Sequence, residues 1–598
     1  MVTISLCMIV KNEEKYIKQC LSSVASIVNE IIIVDTGSTD NTLELASSFN
    51  PKVFKYNWNS NFANARNYSL EQATGDWILV LDADESIFSE DLKKLTDIVQ
   101  TTKANEIALK FHNFTSEVTE EIYNTHIGVR LFKNYCFRYE GAIHEQLVPT
   151  NEIIKRSPYI TDIRVRHYGY LRSNAGQKKR DRNVPIIQKM LDENPNDSFQ
   201  LFNMGNEYMS LDDFNKALYY FDKAYANKNT TLSYCPHLIF RKAACLHYLN
   251  RNEESLKIIQ EGLQLYPACT DYEYFRGIIY KTLKRYTLAI ESFNKCIAMG
   301  ASPPTLSFFN DTEGFRAYVE LGNIYYIEQD FGKALNFYLK AINAKSNQYG
   351  LIYKIGDVLN KIFADKDMVS KGLENLFANW RHITNLLVMV DVLLNERLYK
   401  QAAKYFEKIG TDEEYADDIN FLRGRIFFYA KEYVAAFDEL YKVISSQNAK
   451  ALLPETKNKA YEYAVICCMA CKENGLTLCD QEKIMPFINS LENTQLKQIL
   501  LYFLEKVETT FEEDSKEIIY RILYEILKVS EFDLFEKSLE ILNLINSNEV
   551  LLDLASIYYE SGYKELALKN IMRSVKELDA INANAVQILS KEFLVPQP

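Results

Sequence analysis

Three short stretches of this 598-residue chain carry the residue types that could do chemistry. Asp82-Ala83-Asp84 follows the run GDWILVL, and alternation along a strand would point both carboxylates the same way. Such a pair can hold a hard divalent cation through oxygen ligands. Asp35 ends the run EIIIVD, and Lys11, Asn12 and Glu13 close TISLCMIV. In an open parallel sheet ligands bind beyond the carboxyl ends of the strands, which is where all of these residues fall. A different cluster, Cys467, Cys468, Cys471 and Cys479, has no His nearby, and Cys467 and Cys471 share a helical face. It reads as buried thiols rather than as a zinc site.

The elements that must position these groups are legible as a change of period. From residue 1 to about 175, short β-rich runs alternate with helical stretches, the pattern of an α/β sheet with crossovers. TISLCMIV, EIIIVDT, KVFKYN and WILVLDA are the predicted strands. Helices are expected from near Glu14, from near Thr39, where Ser38, Thr39 and Asp40 supply caps, and from near Phe62. Four strands with three crossovers predict a parallel sheet.

After about residue 190 the β signals vanish and a repeat begins. Gly205, Tyr208, Phe214, Ala217, Phe221 and Ala224 recur at identical offsets as Gly277, Tyr280, Tyr286, Ala289, Phe293 and Cys296. They recur again as Gly322, Tyr325, Phe331, Ala334, Tyr338 and Ala341. A small residue on one helix lets the aromatic of its partner approach closely, so that stacked helix pairs bury a continuous core. The pattern resembles the tetratricopeptide repeat. Beyond about residue 450 it stays helical but matches the repeat weakly. The predicted domains are therefore 1–185, 186–365 and a further helical region, 366–598.

Composition excludes several classes. Sixty-eight Lys and Arg against 80 Asp and Glu give a net charge of −12, which offers no electrostatic footprint for nucleic acid. No apolar run approaches the roughly 20 residues of a membrane span. The N-terminal segment lacks a basic region and a small-residue cleavage site, so a soluble, cytoplasmic protein is expected. Eleven Cys, mostly at apolar helical positions, read as reduced core thiols.

The run IIIVDTGSTDNT, followed by ANARNYSLEQATGDWILVLDADE, resembles the family 2 glycosyltransferases of the GT-A fold, over roughly residues 1 to 175. The resemblance implies an α/β GT-A domain (Rossmann-like, a nucleotide-diphospho-sugar transferase) followed by an all-α tetratricopeptide-repeat superhelix. It also implies a UDP-sugar donor with Mn2+ or Mg2+, because a cation across the two phosphates stabilises the charge that builds on the leaving group. Asp84 is then expected to bind metal, and Asp82 to lie near both metal and ribose. His167, in VRHYGYL, is expected as a late imidazole ligand where carboxylates alone would overcharge the site. Asp35 is implied to face uracil and ribose, although Thr36 stands where the pattern usually has a second Asp. Asn12 and Glu13 are expected to border the donor, and Arg66 to lie near the diphosphate. In YEGAIHEQL, Glu145 fits the acidic acceptor-site motif and is the expected base for an inverting transfer. His144 beside it is the second expected catalytic residue and an alternative to His167. Lys178, Lys179, Arg180 and Arg182 form a basic run that is either a solvated helix start or a diphosphate contact.

Tetratricopeptide superhelices present a concave surface suited to extended peptides, which points to a peptide or protein acceptor. Asn206 and Asn323 follow the repeat glycine, where related peptide-binding repeats grip the ligand backbone. The combination resembles bacterial transferases that glycosylate Cys or Ser of ribosomally made antimicrobial peptides, the glycocin type. A thiol, with a pKa near 8.5, needs less help from a base than an alcohol does. A glycan or lipid-linked acceptor, an inactive scaffold and a homodimer are also compatible with the sequence.

Overall fold

The predicted apolar runs form four neighbouring strands, β1 (Ile4–Val10), β2 (Glu30–Asp35), β3 (Lys52–Lys55) and β4 (Trp77–Val80). They pair in parallel in the order β3-β2-β1-β4. The crossover helices α1 (Ile17–Val24), α2 (Thr42–Ser47) and α3 (Phe62–Glu71) begin within three residues of the expected starts at Glu14, Thr39 and Phe62. The structure, a computed structural model, describes residues 2–114, 123–169, 175–345, 348–446, 451–453, 455–476, 481–491, 493–505, 515–545 and 547–593.

Past β4 the sheet becomes mixed. β5 (Glu85–Ile87) precedes α4 (Leu92–Thr101), and then come β6 (Glu106–Phe114), β7 (Tyr123–Lys133), β8 (Phe137–Glu140), β9 (Gln146–Pro149) and β10 (Tyr159–His167). β7 pairs antiparallel with both β4 and β6, β10 runs parallel to β6, and β5 closes the edge antiparallel to β10. β8 and β9 form a separate hairpin.

Glu30, at the start of β2, is a structural clasp. Its carboxylate accepts from Ser5 Oγ (2.5 Å) on β1, from the Thr74 backbone N–H (2.6 Å) and from Lys52 Nζ (2.7 Å) on β3. Burial pushes its pKa up, but these donors prevail and hold it down at about 2. A depressed pKa contributes stability that is present above the ordinary carboxylate value and lost as pH falls toward the folded one. Glu30→Gln is therefore expected to cost about 1–2 kcal/mol at pH 7. In calorimetry, the gap from wild type should narrow as pH falls from about 5 toward 3.

The helical part continues with α5 (Ala175–Glu193), α6 (Ser198–Met209), α7 (Phe214–Ala226), α8 (Cys235–Tyr248) and α9 (Asn252–Leu265). Then follow α10 (Thr270–Thr282), α11 (Tyr286–Met299), α12 (Phe315–Ile327) and α13 (Phe331–Ala344). The repeat glycines act as expected, since an added Cβ at Gly205, Gly277 or Gly322 would stand 2.4, 2.7 or 2.4 Å from the ring of Phe221, Phe293 or Tyr338. Gly277→Ala weighs two effects of opposite sign. Alanine gains about 1 kcal/mol of helix propensity, whereas overpacking costs about 1–3 kcal/mol. Phe293 is fully buried and has nowhere to move, so net destabilisation is expected in thermal unfolding. Asn323 is held within its own repeat, its side chain accepting from Tyr338 OH at 3.0 Å.

The chain divides into two compact units, Met1–Ser346 and Asn347–Pro598. The division differs from boundaries at 185 and 365 because α5 runs across the first of these. One apolar cluster also joins Phe62 and Ile143 of the sheet region to Ile187, Leu201, Phe221 and Leu238 of the helices. In the second unit, helices run from Tyr349–Ile362 to Ala583–Phe593. Gly424 lies against Leu440 there, Arg425 pairs with Asp391 in the interior, and Cys467, Cys468 and Cys471 are buried in one helix. Cys479 lies outside the described residues. No helix among the described residues is long and apolar enough to cross a membrane.

Candidate active site

β4 ends at Val80, so Asp82-Ala83-Asp84 lies in a turn rather than on the strand. The Glu85 N–H donates to the Asp82 carbonyl (2.9 Å) and the Asp82 N–H to Glu85 Oε2 (3.1 Å). Strand alternation does not hold in a turn, and the two carboxylates take different partners. Asp82 Oδ1 accepts from Arg66 Nη2 (2.9 Å), and its Oδ2 lies 3.6 Å from Arg130. Burial raises the pKa of Asp82, but the two guanidiniums hold it far below the usual carboxylate range. In this arrangement the charge of Asp82 is matched by arginine, and the Asp84 carboxylate is the one left to face the cleft beside His167. Arg130 also makes two bonds to the buried Glu85, at 2.7 and 3.1 Å.

Asp84 turns the other way, toward His167. β10 runs antiparallel to β5 with His167 opposite Glu85, and the Tyr168 N–H donates to the Asp84 carbonyl at 3.1 Å. Tyr168 is itself stacked between Tyr16 (5.6 Å) and Phe114 (5.4 Å), which fixes the backbone beside His167. His167 Nε2 then lies 3.9 Å from Asp84 Oδ2, too far for a hydrogen bond and within the span of one bridging ion.

Two further observations bear on whether this pair fits a cation. Asn113, in register with His167 on β6, accepts from His167 Nδ1 (2.7 Å) and donates to His126 Nδ1 (2.8 Å). A carboxamide oxygen only accepts, so Nδ1 carries a proton in this bond and Nε2 is the ring nitrogen turned toward Asp84. Gly169 borders the gap, and a Cβ there would lie 2.6 Å from His167 Nε2 and 2.7 Å from Asp84 Oδ2. The gap is thus kept open by the lack of a side chain. Among the described residues no three His, Cys, Asp or Glu side chains form a metal cage. A carboxylate oxygen and an imidazole nitrogen with an open space between them fit a divalent cation.

On the facing side Glu145 meets Arg66. The β8–β9 turn holds Gly141 at φ +100° and His144 at φ +51°, and the Phe62 N–H donates to the Ala142 carbonyl at 2.8 Å. That bond docks the turn onto the first turn of α3. Arg66, four residues on, reaches Glu145 Oε1 with Nε at 2.5 Å. Arg66 is only 8% exposed, and its Nη1 has no hydrogen-bond partner. A buried donor left unpaired costs about 1–3 kcal/mol, so this atom awaits an acceptor.

Asp82, Asp84, His167, Arg66, His144 and Glu145 all line one cleft of about 650 Å³. Lys11, Glu13 and Thr36 border it as well, whereas Asn12, which is exposed, and Asp35, which is buried, do not line it. Asn12 (φ +56°) accepts from the Thr39 N–H (2.7 Å) and Asp35 from the Ser38 N–H (2.9 Å), so both shape the loops. Of the basic run, Arg182 lines the cleft with its guanidinium 4.8 Å above the Phe62 ring. Arg180 bonds Ser210, and the side chains of Lys178 and Lys179 lie outside the described residues. Arg130, Asn113 and Gly169 carried no expectation. A lone arginine inside the apolar strand VRLFK was the one available signal for Arg130.

Residues 5–163 match the family model described as Glycosyl transferase family 2, and residues 274–299 and 315–348 match that of the Tetratricopeptide repeat. Over 286 residues the chain is 32% identical to the SPbeta prophage-derived glycosyltransferase SunS of Bacillus subtilis (strain 168), covering 46% of this chain and 66% of that one. Over 214 residues it is 31% identical to a TPR repeat-containing protein of Synechococcus elongatus, covering 34% and 52%. The chain thus spans between half and two thirds of the length of these curated relatives. A crystal structure of glucosyl-3-phosphoglycerate synthase from Mycobacterium tuberculosis with Mn2+, UDP and phosphoglyceric acid is 24% identical over 20% of this chain and 46% of that one. Its TM-score of 0.17 gives the likeness no weight.

Proposed function

From a family 2 glycosyltransferase domain joined to tetratricopeptide repeats, we propose that this chain moves a hexose or N-acetylhexosamine from a UDP-sugar to a Cys, Ser or Thr side chain of a peptide or protein. The observation that carries the reading is a single cleft in which the Asp84–His167 gap and the Arg66–Glu145 pair are both present. Asp84 and His167 are the residues that would hold Mn2+ or Mg2+, which when bound would supply positive charge to the departing diphosphate. The unpaired Nη1 of Arg66, and Arg182, which lines the same cleft, offer donors to the same anion. Asp82 and Glu85 hold Arg66 and Arg130 in place. Glu145, oriented by Arg66 through one oxygen, takes the acceptor proton with the other as the nucleophile attacks the anomeric carbon. The repeats in the same compact unit favour a polypeptide acceptor over a glycan.

The test is incubation with a panel of UDP-sugars and Cys-, Ser- and Thr-containing peptides, with Mn2+ or Mg2+ or with a chelator, read by mass spectrometry. Peptide products that disappear with the chelator are expected. Sugar transferred only to oligosaccharides would replace the acceptor class, and the absence of both UDP binding and donor turnover would refute the whole reading.

A further inference from the structure

A second cavity, of about 550 Å³, adjoins the cleft within the same unit, and His126 lines both. One wall is sheet, with Lys110 of β6, Thr125 and Ile127 of β7, and Ile160 and Asp162 of β10. The other wall is the connection between α11 and α12, residues 300–314, which is far longer than the 266–269 link joining α9 to α10. Loops of this length in compact domains usually serve a function.

This loop is built as a firm wall. Asp271, fully buried, accepts from the Phe309 N–H (2.8 Å) and from Thr312 Oγ1 (2.6 Å), so an interior carboxylate is committed to its shape. Phe308 and Phe309 pack on Phe240 at 4.9 and 5.2 Å. Thr125 Oγ1 donates to Asn310 Oδ1 at 2.8 Å, which ties the loop back to the sheet. Phe308 and Phe309 anchor the loop in the apolar clusters of the helix pairs, and the bonds of Asp271 and Thr125 hold the rest of it beside a preformed space against β6, β7 and β10.

The lining chemistry selects the occupant. Asp162, Asp311 and Glu313 outnumber Lys110 and Lys345, which disfavours a second nucleotide or a phosphate-linked lipid. Ile127, Ile160 and Phe309 are separated by polar groups and give no continuous apolar wall for an acyl chain. Alternating apolar and charged positions on two opposed walls match an extended polypeptide with mixed side chains. Resting on the acceptor class stated above, we propose that this cavity holds the acceptor polypeptide, and that the side chain to be modified passes His126 to reach the donor.

Ile160 is 46% exposed, and neither it nor Glu313 belongs to the catalytic machinery. The experiment uses the full chain, short synthetic peptides that the wild type glycosylates, and the UDP-sugar it hydrolyses. Ile160→Arg and Glu313→Arg are expected to raise peptide KM about tenfold or more, with UDP-sugar hydrolysis in the absence of peptide unchanged. A photoreactive benzoylphenylalanine at Ile160 should cross-link the peptide, and one at Tyr135, which is 78% exposed and lines neither cavity, should not. Unchanged peptide KM in both variants, or cross-linking absent at Ile160 while transfer proceeds, overturns this inference and leaves the proposed function standing. Donor hydrolysis without transfer to any peptide removes the polypeptide acceptor, and this cavity assignment with it.

Discussion

Asp84→Asn is expected to lower sugar transfer by about 10³-fold or more, because it removes the anionic ligand that sets a cation against the departing diphosphate. The change is nearly isosteric. Its backbone role, accepting from the Tyr168 N–H, is untouched, and the nearest partner of the side chain across the gap is His167 at 3.9 Å. Thermal stability should therefore stay within about 0.5 kcal/mol of wild type. Mn2+ affinity, read by paramagnetic resonance on protein with UDP but no sugar, should fall at least about tenfold, which separates loss of the ion from loss of a proton carrier. Wild-type turnover together with wild-type Mn2+ binding in this variant would remove the cation from Asp84. Asp82→Asn makes an instructive contrast. Asp82 is bonded to Arg66 and paired with Arg130, so its replacement leaves the buried Arg66 and the half-buried Arg130 short of charge and should lower stability as well as activity.

What the sequence revealed and what it hid follow from how far apart the interacting residues lie along the chain. β1, β2 and β4 were legible because nearly every residue in them is buried, which leaves apolar runs that no helix pattern imitates. The repeats were legible because Gly205 and Phe221, Gly277 and Phe293, and Gly322 and Tyr338 recur at one spacing for one steric reason. The direction of the Asp82 carboxylate was not legible. It depends on a turn closed by Glu85 and on two arginines, one of which, Arg130, arrives from β7 through pairing with β4. Asn113 likewise meets His167 only because β6 and β10 pair in that register. The unit boundary was hidden for a related reason. Composition changes near residue 185, but the apolar cluster joining Phe62 and Ile143 to Ile187 and Leu201 crosses that point.

Gly169→Ala tests the same gap without touching any charged group. The glycine is not among the positive-φ residues, so alanine suits its backbone and the fold should persist. The methyl carbon, however, would stand 2.6 Å from His167 Nε2 and 2.7 Å from Asp84 Oδ2, both closer than van der Waals contact allows. Either the methyl takes up the space an ion needs, or His167 is pushed off its bond to Asn113 Oδ1, now 2.7 Å. On both routes Mn2+ binding weakens and transfer falls by about 10²-fold or more, while circular dichroism and the unfolding temperature stay near wild type. A variant that stays active and binds Mn2+ as tightly as wild type would place the cation outside the Asp84–His167 gap. Weakened Mn2+ binding with unaltered transfer would instead show that the ion binds there without serving the reaction.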